Sequence, residues 1–244
     1  MSPHGGIRMT DQPRPRPEAG PTDTLGAPEA VRIPDALATL ARCRVLPVVT
    51  IARAEEAPTL AAGLLAGGLP IVEITLRTDA ALDAIRELTG EATGLVVGAG
   101  TVLTADQVDA VAAAGAAFVV APGFDPRVVE RCAERGLPVV PGVATPTEIA
   151  AALAHGCTLL KLFPAEALGG IAYLRAVAAP FPGVRFVPTG GIGPGSLAGY
   201  LAEPAVVACG GSWLAPPALL ATGDVAGIAR LAEEAVLTVR RATR

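Results

Sequence analysis

Short runs of β-branched and other apolar residues alternate along this chain with alanine-rich stretches of helical length, and glycine or proline stands at most of the joins. The runs VLPVVTI (45–51), IVEIT (71–75), LVVGA (95–99), FVVA (118–121), LPVVP (137–141), TLLKLF (158–163), RFVPT (185–189) and VVAC (206–209) predict eight strands. Helical stretches follow each, starting near Ala54, Thr78, Thr104, Pro126, Thr147, Ile171, Pro194 and Pro217. Several starts carry entry chemistry: Thr104-Ala-Asp-Gln and Thr145-Pro-Thr-Glu pair a hydroxyl cap, or a first-turn proline, with an acid or amide three residues on. Eight strand-then-helix units predict one closed α/β domain over residues 31–244, a (β/α)8 TIM barrel. The rival, an open doubly wound sheet, ordinarily has fewer units and a nucleotide fingerprint, and no GxGxxG follows the first run.

Residues 1–30 lack this periodicity. They hold PRPRP at 13–17 and many Gly, Pro and Thr residues, a composition that buries too little apolar surface to offset the entropy of ordering, so a disordered extension is expected there.

In a barrel the chemistry gathers where strands end and loops begin. Glu73, Thr75 and Arg77 are spaced i, i+2, i+4, so a strand persisting through EITLRT turns all three toward the interior. A carboxylate there is costly without a partner or a task, and a Glu73 to Arg77 ion pair is the purely structural account. The run TLLKLF likewise sets Leu159, Lys161 and Phe163 on one face. Lys161 is the only lysine among 19 basic residues, the others all being arginine. Arginine would pair with Glu73 equally well but cannot lose its proton, so a site that needs a neutral primary amine must keep lysine. Such an amine adds to a ketone and, as a Schiff base, turns that carbon into an electron sink without a metal or added cofactor. Two glycine pairs, TGGI (189–192) and CGGSW (209–213), follow the last two strands, a usual place for phosphate in this fold. Glycine lets backbone N–H groups approach an anion closely, and Ser212 adds a hydroxyl.

Composition excludes other classes. The chain is 51% hydrophobic but only 3% aromatic, so its core is built from Ala, Val and Leu. A net charge of −4 and the absence of a basic stripe give no reason to expect nucleic acid or an acidic membrane as partner. The N-terminus carries no apolar h-region, which makes the cytoplasm the default location, and the uncharged window 204–223 is interrupted by PP and GG. Cys43, Cys132, Cys157 and Cys209 show no metal-ligand spacing and read as reduced residues of the core. His155, ahead of Gly156, reads as part of a helix end. Metal catalysis and a Ser-His-Asp mechanism both lack parts.

VEITLRT (72–78), GAGTV (98–102), KLFPAE (161–166), PTGGI (188–192) and GGSW (210–213), in this order over residues 31–240, resemble the 2-keto-3-deoxy-6-phosphogluconate (KDPG) and 4-hydroxy-2-oxoglutarate (KHG) aldolases. The resemblance implies a class I aldolase of the Entner–Doudoroff pathway, folded as a barrel and assembled as a homotrimer. Such an enzyme splits a phosphorylated 2-keto acid to pyruvate and glyceraldehyde 3-phosphate with no cofactor. It assigns Lys161 as Schiff-base lysine and Glu73 as general acid/base. Arg77 and Thr101 are assigned to the pyruvyl carboxylate, Thr189 to a substrate hydroxyl, and Gly190, Gly191, Gly211 and Ser212 to phosphate, with Phe163 beside the substrate. One departure is APG at 121–123, where the family often has SPG; it bears on fine substrate preference. Two rivals stay open: an aldolase for the C4 epimer, 2-keto-3-deoxy-6-phosphogalactonate, and a silent barrel that only binds a phosphorylated metabolite.

Overall fold

The computed structural model describes Met1 and residues 37–90 and 94–242. The expected extension at 1–30 lies outside the described residues apart from Met1. A short helix α1 (Ala38–Cys43) leads into nine parallel strand segments alternating with helices. In order these are β1 (Val45–Val49), α2 (Ala57–Ala66), β2 (Ile71–Thr75), α3 (Ala81–Gly90), β3 (Val96–Gly100), α4 (Ala105–Ala113), β4 (Phe118–Val120) and α5 (Pro126–Glu134). There follow β5 (Val139–Val140), β6 (Gly142–Val143), α6 (Pro146–Ala154), β7 (Leu159–Leu162), α7 (Gly170–Ala178), β8 (Arg185–Phe186), α8 (Pro194–Leu201) and β9 (Cys209–Gly211). Helices α9 (Pro217–Ala221) and α10 (Val225–Ala242) close the chain.

The strand segments pair in the orders β5-β4-β3-β2-β1-β9 and β6-β7-β8. β5 and β6 are the two halves of one barrel strand, separated only by Pro141, and the bridges Phe186–Val206 and Thr189–Gly210 join the two ends of the ring. Eight strands, helices outside, make the barrel that the alternating pattern predicts. Each strand of such a sheet is buried on both faces, which is why β2 is covered at every residue and why the runs look uniformly apolar.

Three of the helices begin where side chains satisfy their free amides. Thr104 caps α4 by accepting from the Gln107 amide, Asp125 does the same for α5 through Arg127, and Thr145 with Glu148 forms a reciprocal capping box on α6. His155 stands at the C-terminal cap of α6, its Nδ1 2.9 Å from the Ala151 carbonyl. Cys132, Cys157 and Cys209 are buried, Cys43 half-buried, and all four are free thiols.

Three strands differ most from their sequence outlines. The fifth is cut at Pro141, which has no N–H to give to a ladder; its carbonyl instead accepts the Lys161 amide at 2.9 Å. The run at 185–189 has regular pairing only at 185–186, yet Thr189 N–H still reaches Leu162 O at 2.9 Å and Gly210 N–H reaches Pro188 O at 2.9 Å. The last strand lies at Cys209–Gly211 rather than 206–209, because ladder partners on β1 carry it through two glycines that pattern reading takes as a turn. The final unit also has two helices after its strand, and α10 packs closely on α2 through small residues: a Cβ on Gly63 would lie 2.6 Å from Ile228 Cβ.

Candidate active site

Glu73 in β2 and Lys161 in β7 come from opposite parts of the ring and meet inside it. Lys161 Nζ donates to Glu73 Oε1 at 3.4 Å, with the two residues 5% and 1% exposed. That separation is long for a charge-assisted bond. The other carboxyl oxygen, Oε2, is buried with no hydrogen-bond partner among the described residues. Burial pushes the Glu73 carboxyl above the ordinary carboxylate range; the charge and hydrogen bond of Lys161, then the more distant charge of Arg77, pull it back only in part. A buried carboxyl that leans toward its protonated form, with one oxygen uncommitted beside an amine, is equipped to pass protons.

The backbone makes room for it. β2 and β3 pair with Glu73 opposite Gly98, and a Cβ on Gly100 would stand 2.1 Å from Glu73 Oε1. One on Gly98 would strike the Phe118 ring at 2.3 Å. The alternate glycines of VGAG therefore free one side of β3 for an aromatic ring and a carboxyl. Phe163 lies on the lysine's side, its ring centre 5.3 Å from Nζ, as the spacing of TLLKLF predicts.

The sequence placed Arg77 on the inward face of a continuing strand, and the structure corrects this. β2 ends at Thr75, the chain turns with Arg77 N–H bonded to Thr75 O at 2.8 Å, and the Arg77 side chain is exposed. Glu73 pairs with Lys161, not with Arg77. Thr75 does face inward, buried, giving its hydroxyl to Val49 O at 3.2 Å and meeting Thr50 Oγ1 at 2.8 Å. Thr101 follows β3 with φ 57°, a left-handed conformation that is strained for a β-branched residue and is found mostly where function over-determines it.

The two glycine pairs lie side by side, tied by the Thr189–Gly210 bridge. Thr189 is buried, and a Cβ on Gly210 would stand 2.3 Å from its Oγ1. Gly190 and Gly191 have φ of 100° and 82°, and Gly190 packs on Phe163, which connects this loop to the lysine's surroundings. Gly211 leaves the space that the Trp213 ring fills, and Ser212 next to it is exposed. The residues of the resemblance thus gather at one end of the barrel, Glu73, Lys161 and Phe163 in contact and Arg77 and Ser212 at the rim.

Sequence reasoning passed over three features. The role of Gly98 and Gly100 was signalled by their period-two spacing within a strand. The Thr50–Thr75 hydroxyl pair had no signal, since it depends on the β1–β2 register. The third is Glu166, whose Oε1 accepts from the buried Tyr200 hydroxyl at 2.8 Å across 34 residues of chain.

A parallel (β/α)8 barrel with an amine and a carboxyl sealed together in its mouth defines a class: barrels equipped for chemistry at a ketone carbon. The relatives narrow it. A profile described as "Aldolase: KDPG and KHG aldolase" matches residues 37–231, and the chain belongs to that family. The 2-dehydro-3-deoxy-phosphogluconate aldolase of Treponema pallidum is 48% identical over 200 residues, 82% of this chain and 95% of that one. The crystal structure of the 2-keto-3-deoxy-6-phosphogluconate aldolase of Zymomonas mobilis with 3-phosphoglycerate shares 40% identity and a TM-score of 0.77, covering 82% of this chain and 94% of that one. A KDPG aldolase structure from Legionella pneumophila, with pyruvate captured as a covalent carbinolamine, is 38% identical with a TM-score of 0.78 over 81% of this chain and 96% of that one.

Proposed function

We propose that this protein cleaves 2-keto-3-deoxy-6-phosphogluconate reversibly to pyruvate and glyceraldehyde 3-phosphate through a Schiff base on Lys161, and that it also acts on 4-hydroxy-2-oxoglutarate. The observation that carries the reading is a buried amine 3.4 Å from a buried carboxyl whose second oxygen has no partner. Unprotonated Lys161 adds to the C2 ketone to give a carbinolamine, and Glu73 supplies the proton with which the hydroxyl leaves as water. Glu73, now a carboxylate, takes the C4 hydroxyl proton; the C3–C4 bond breaks into the iminium carbon, releasing the aldehyde and leaving an enamine. Returning that proton to C3 gives the pyruvyl imine, and water restores the amine and frees pyruvate.

In this reading Arg77 and Thr101 hold the pyruvyl carboxylate at the mouth, and Phe163 borders the reacting carbons. Thr189 meets a substrate hydroxyl, which favours the gluconate over the galactonate epimer. Phosphate lies against Gly190, Gly191, Gly211 and Ser212. The exposed position of Arg77 suits a cation that waits for an anion rather than one already paired. The working unit is a homotrimer of barrel domains spanning 31–244, acting in the cytoplasm. Among the described residues no helix is long and apolar enough to cross a membrane.

Borohydride reduction with pyruvate tests the chemistry. A covalent adduct mapped to the peptide bearing Lys161 is the expected outcome; no adduct would sink the mechanism and leave a barrel that only binds. Rates on the two C4 epimers, measured side by side, decide the sugar, and light scattering decides the subunit number.

A further inference from the structure

The loop that follows β8 is held in shape from outside the barrel strands. Thr189 O accepts from Ala165 N–H at 2.8 Å, and Gly190 O accepts from Glu166 N–H at 3.0 Å. In a trans peptide the carbonyl and the following N–H point opposite ways, so these two bonds turn the amides of Gly190 and Gly191 away from the 164–170 turn. Neither amide donates to a protein acceptor among the described residues. Two successive free amides on glycines with positive φ form a concavity suited to an anion.

The residue that orients the second amide is itself fixed. The Glu166 side chain lies between two glycines: a Cβ on Gly191 would stand 2.6 Å from Glu166 Cβ, and one on Gly170 would stand 3.5 Å from its Oε2. Its Oε1 takes the hydroxyl of Tyr200, a fully buried residue of α8. The turn after β7 is thereby anchored to the helix that follows the glycine loop. A carboxylate beside an anion site repels the anion, so its presence there calls for a compensating task, and the anchor supplies one.

Resting on the aldolase reading above, we propose that Glu166, anchored by Tyr200, is a positioning residue: it sets the Gly190–Gly191 amides for the substrate phosphate and thereby sets the preference for phosphorylated over unphosphorylated 2-keto acids. The test compares Glu166→Ala, Glu166→Gln and Tyr200→Phe with the parent protein, using KDPG, its unphosphorylated counterpart 2-keto-3-deoxygluconate, and inorganic phosphate as a competing anion. Glu166→Ala is expected to raise KM for KDPG and the inhibition constant of phosphate by about ten-fold each, with kcat within about two-fold, while kcat/KM for the unphosphorylated substrate is unchanged. Glu166→Gln, which still accepts from Tyr200, stays within about three-fold of the parent protein.

Equal losses on both substrates, a fall in kcat with KM unaltered, or a Gln variant as impaired as the Ala variant would each overturn the proposal. Should Tyr200→Phe not fold, the two Glu166 variants decide alone. The borohydride adduct with pyruvate needs no phosphate and is expected at parental yield in every variant. Its absence from the parent protein would refute the aldolase mechanism, and its presence with unaltered phosphate selectivity would refute only the role of Glu166.

Discussion

Two glutamates are buried toward the same end of the barrel, and their surroundings differ. Glu56 precedes α2 and is 6% exposed; its Oε2 accepts the Ala52 amide at 3.1 Å and its Oε1 lies 3.4 Å from Arg53 Nε. Both oxygens have work, and the result is a braced loop. Glu73, 1% exposed, has one long contact with Lys161 and an oxygen with none. Burying a carboxyl incompletely satisfied costs free energy, and a chain that saturates one such group nearby has left the other open. The difference separates a residue that holds structure from one held ready for a substrate.

Removing the amine is the most severe way to break the comparison. Lys161→Arg keeps a cation beside Glu73 but no group able to become a neutral nucleophile, and cleavage is expected to fall roughly 10⁴-fold or more with the fold intact. An arginine variant that still cleaves KDPG would end the Schiff-base account. Glu73→Gln retains the amine and removes the proton carrier, so kcat is expected to fall about 10²- to 10⁴-fold, with borohydride trapping slowed rather than lost.

Two smaller changes sharpen the contrast. A methyl on Gly100 would meet Glu73 Oε1 at 2.1 Å; Gly100→Ala should displace the carboxyl, costing about 10²-fold in kcat and about 1–3 kcal/mol of stability in denaturant melts. Glu56→Ala should cost about 1–3 kcal/mol as well but leave kcat near the parent value. If Glu56→Ala damages kcat as much as Gly100→Ala does, the division between bracing and reacting glutamates fails.

The eight units were legible in the sequence because the strands are covered on both faces and several helix starts, those of α4, α5 and α6, carry capping side chains; pattern and structure coincide at Ile71–Thr75 residue for residue. The lysine's place was legible from charge alone, since a solitary amine inside an apolar run has few structural excuses. What stayed hidden depends on neighbours that no local pattern encodes. Arg77 leaves the strand because the chain turns at Thr75, the break at Pro141 shows only once β7 lies beside it, and the Glu166–Tyr200 contact joins residues 34 apart. The need for Gly100 follows from strand register, which sets Glu73 opposite Gly98 so that its carboxyl reaches over Gly100.

The pH dependence of stability gives the smallest and most specific signal. In the unfolded chain Glu73 titrates near 4.5; in the fold, burial raises that value. Between the two, the native state keeps a proton that the unfolded state has released, so the associated stability is complete below about pH 4.5 and declines as pH climbs through the folded value. Asp109, Asp125 and Glu203, held low chiefly by hydrogen bonds from Arg135, Arg127 and Arg175, act in the opposite sense: their contribution is present above the ordinary carboxylate range and fades as pH falls. Parent and Glu73→Gln proteins share those three groups, so subtracting their unfolding free energies across pH isolates Glu73. The difference should be level at acid pH and then move against the parent as pH rises, levelling again once Glu73 has ionised in the fold. A difference that moves in the parent's favour would mean that the lysine outweighs burial and that Glu73 is, like Glu56, a committed structural acid.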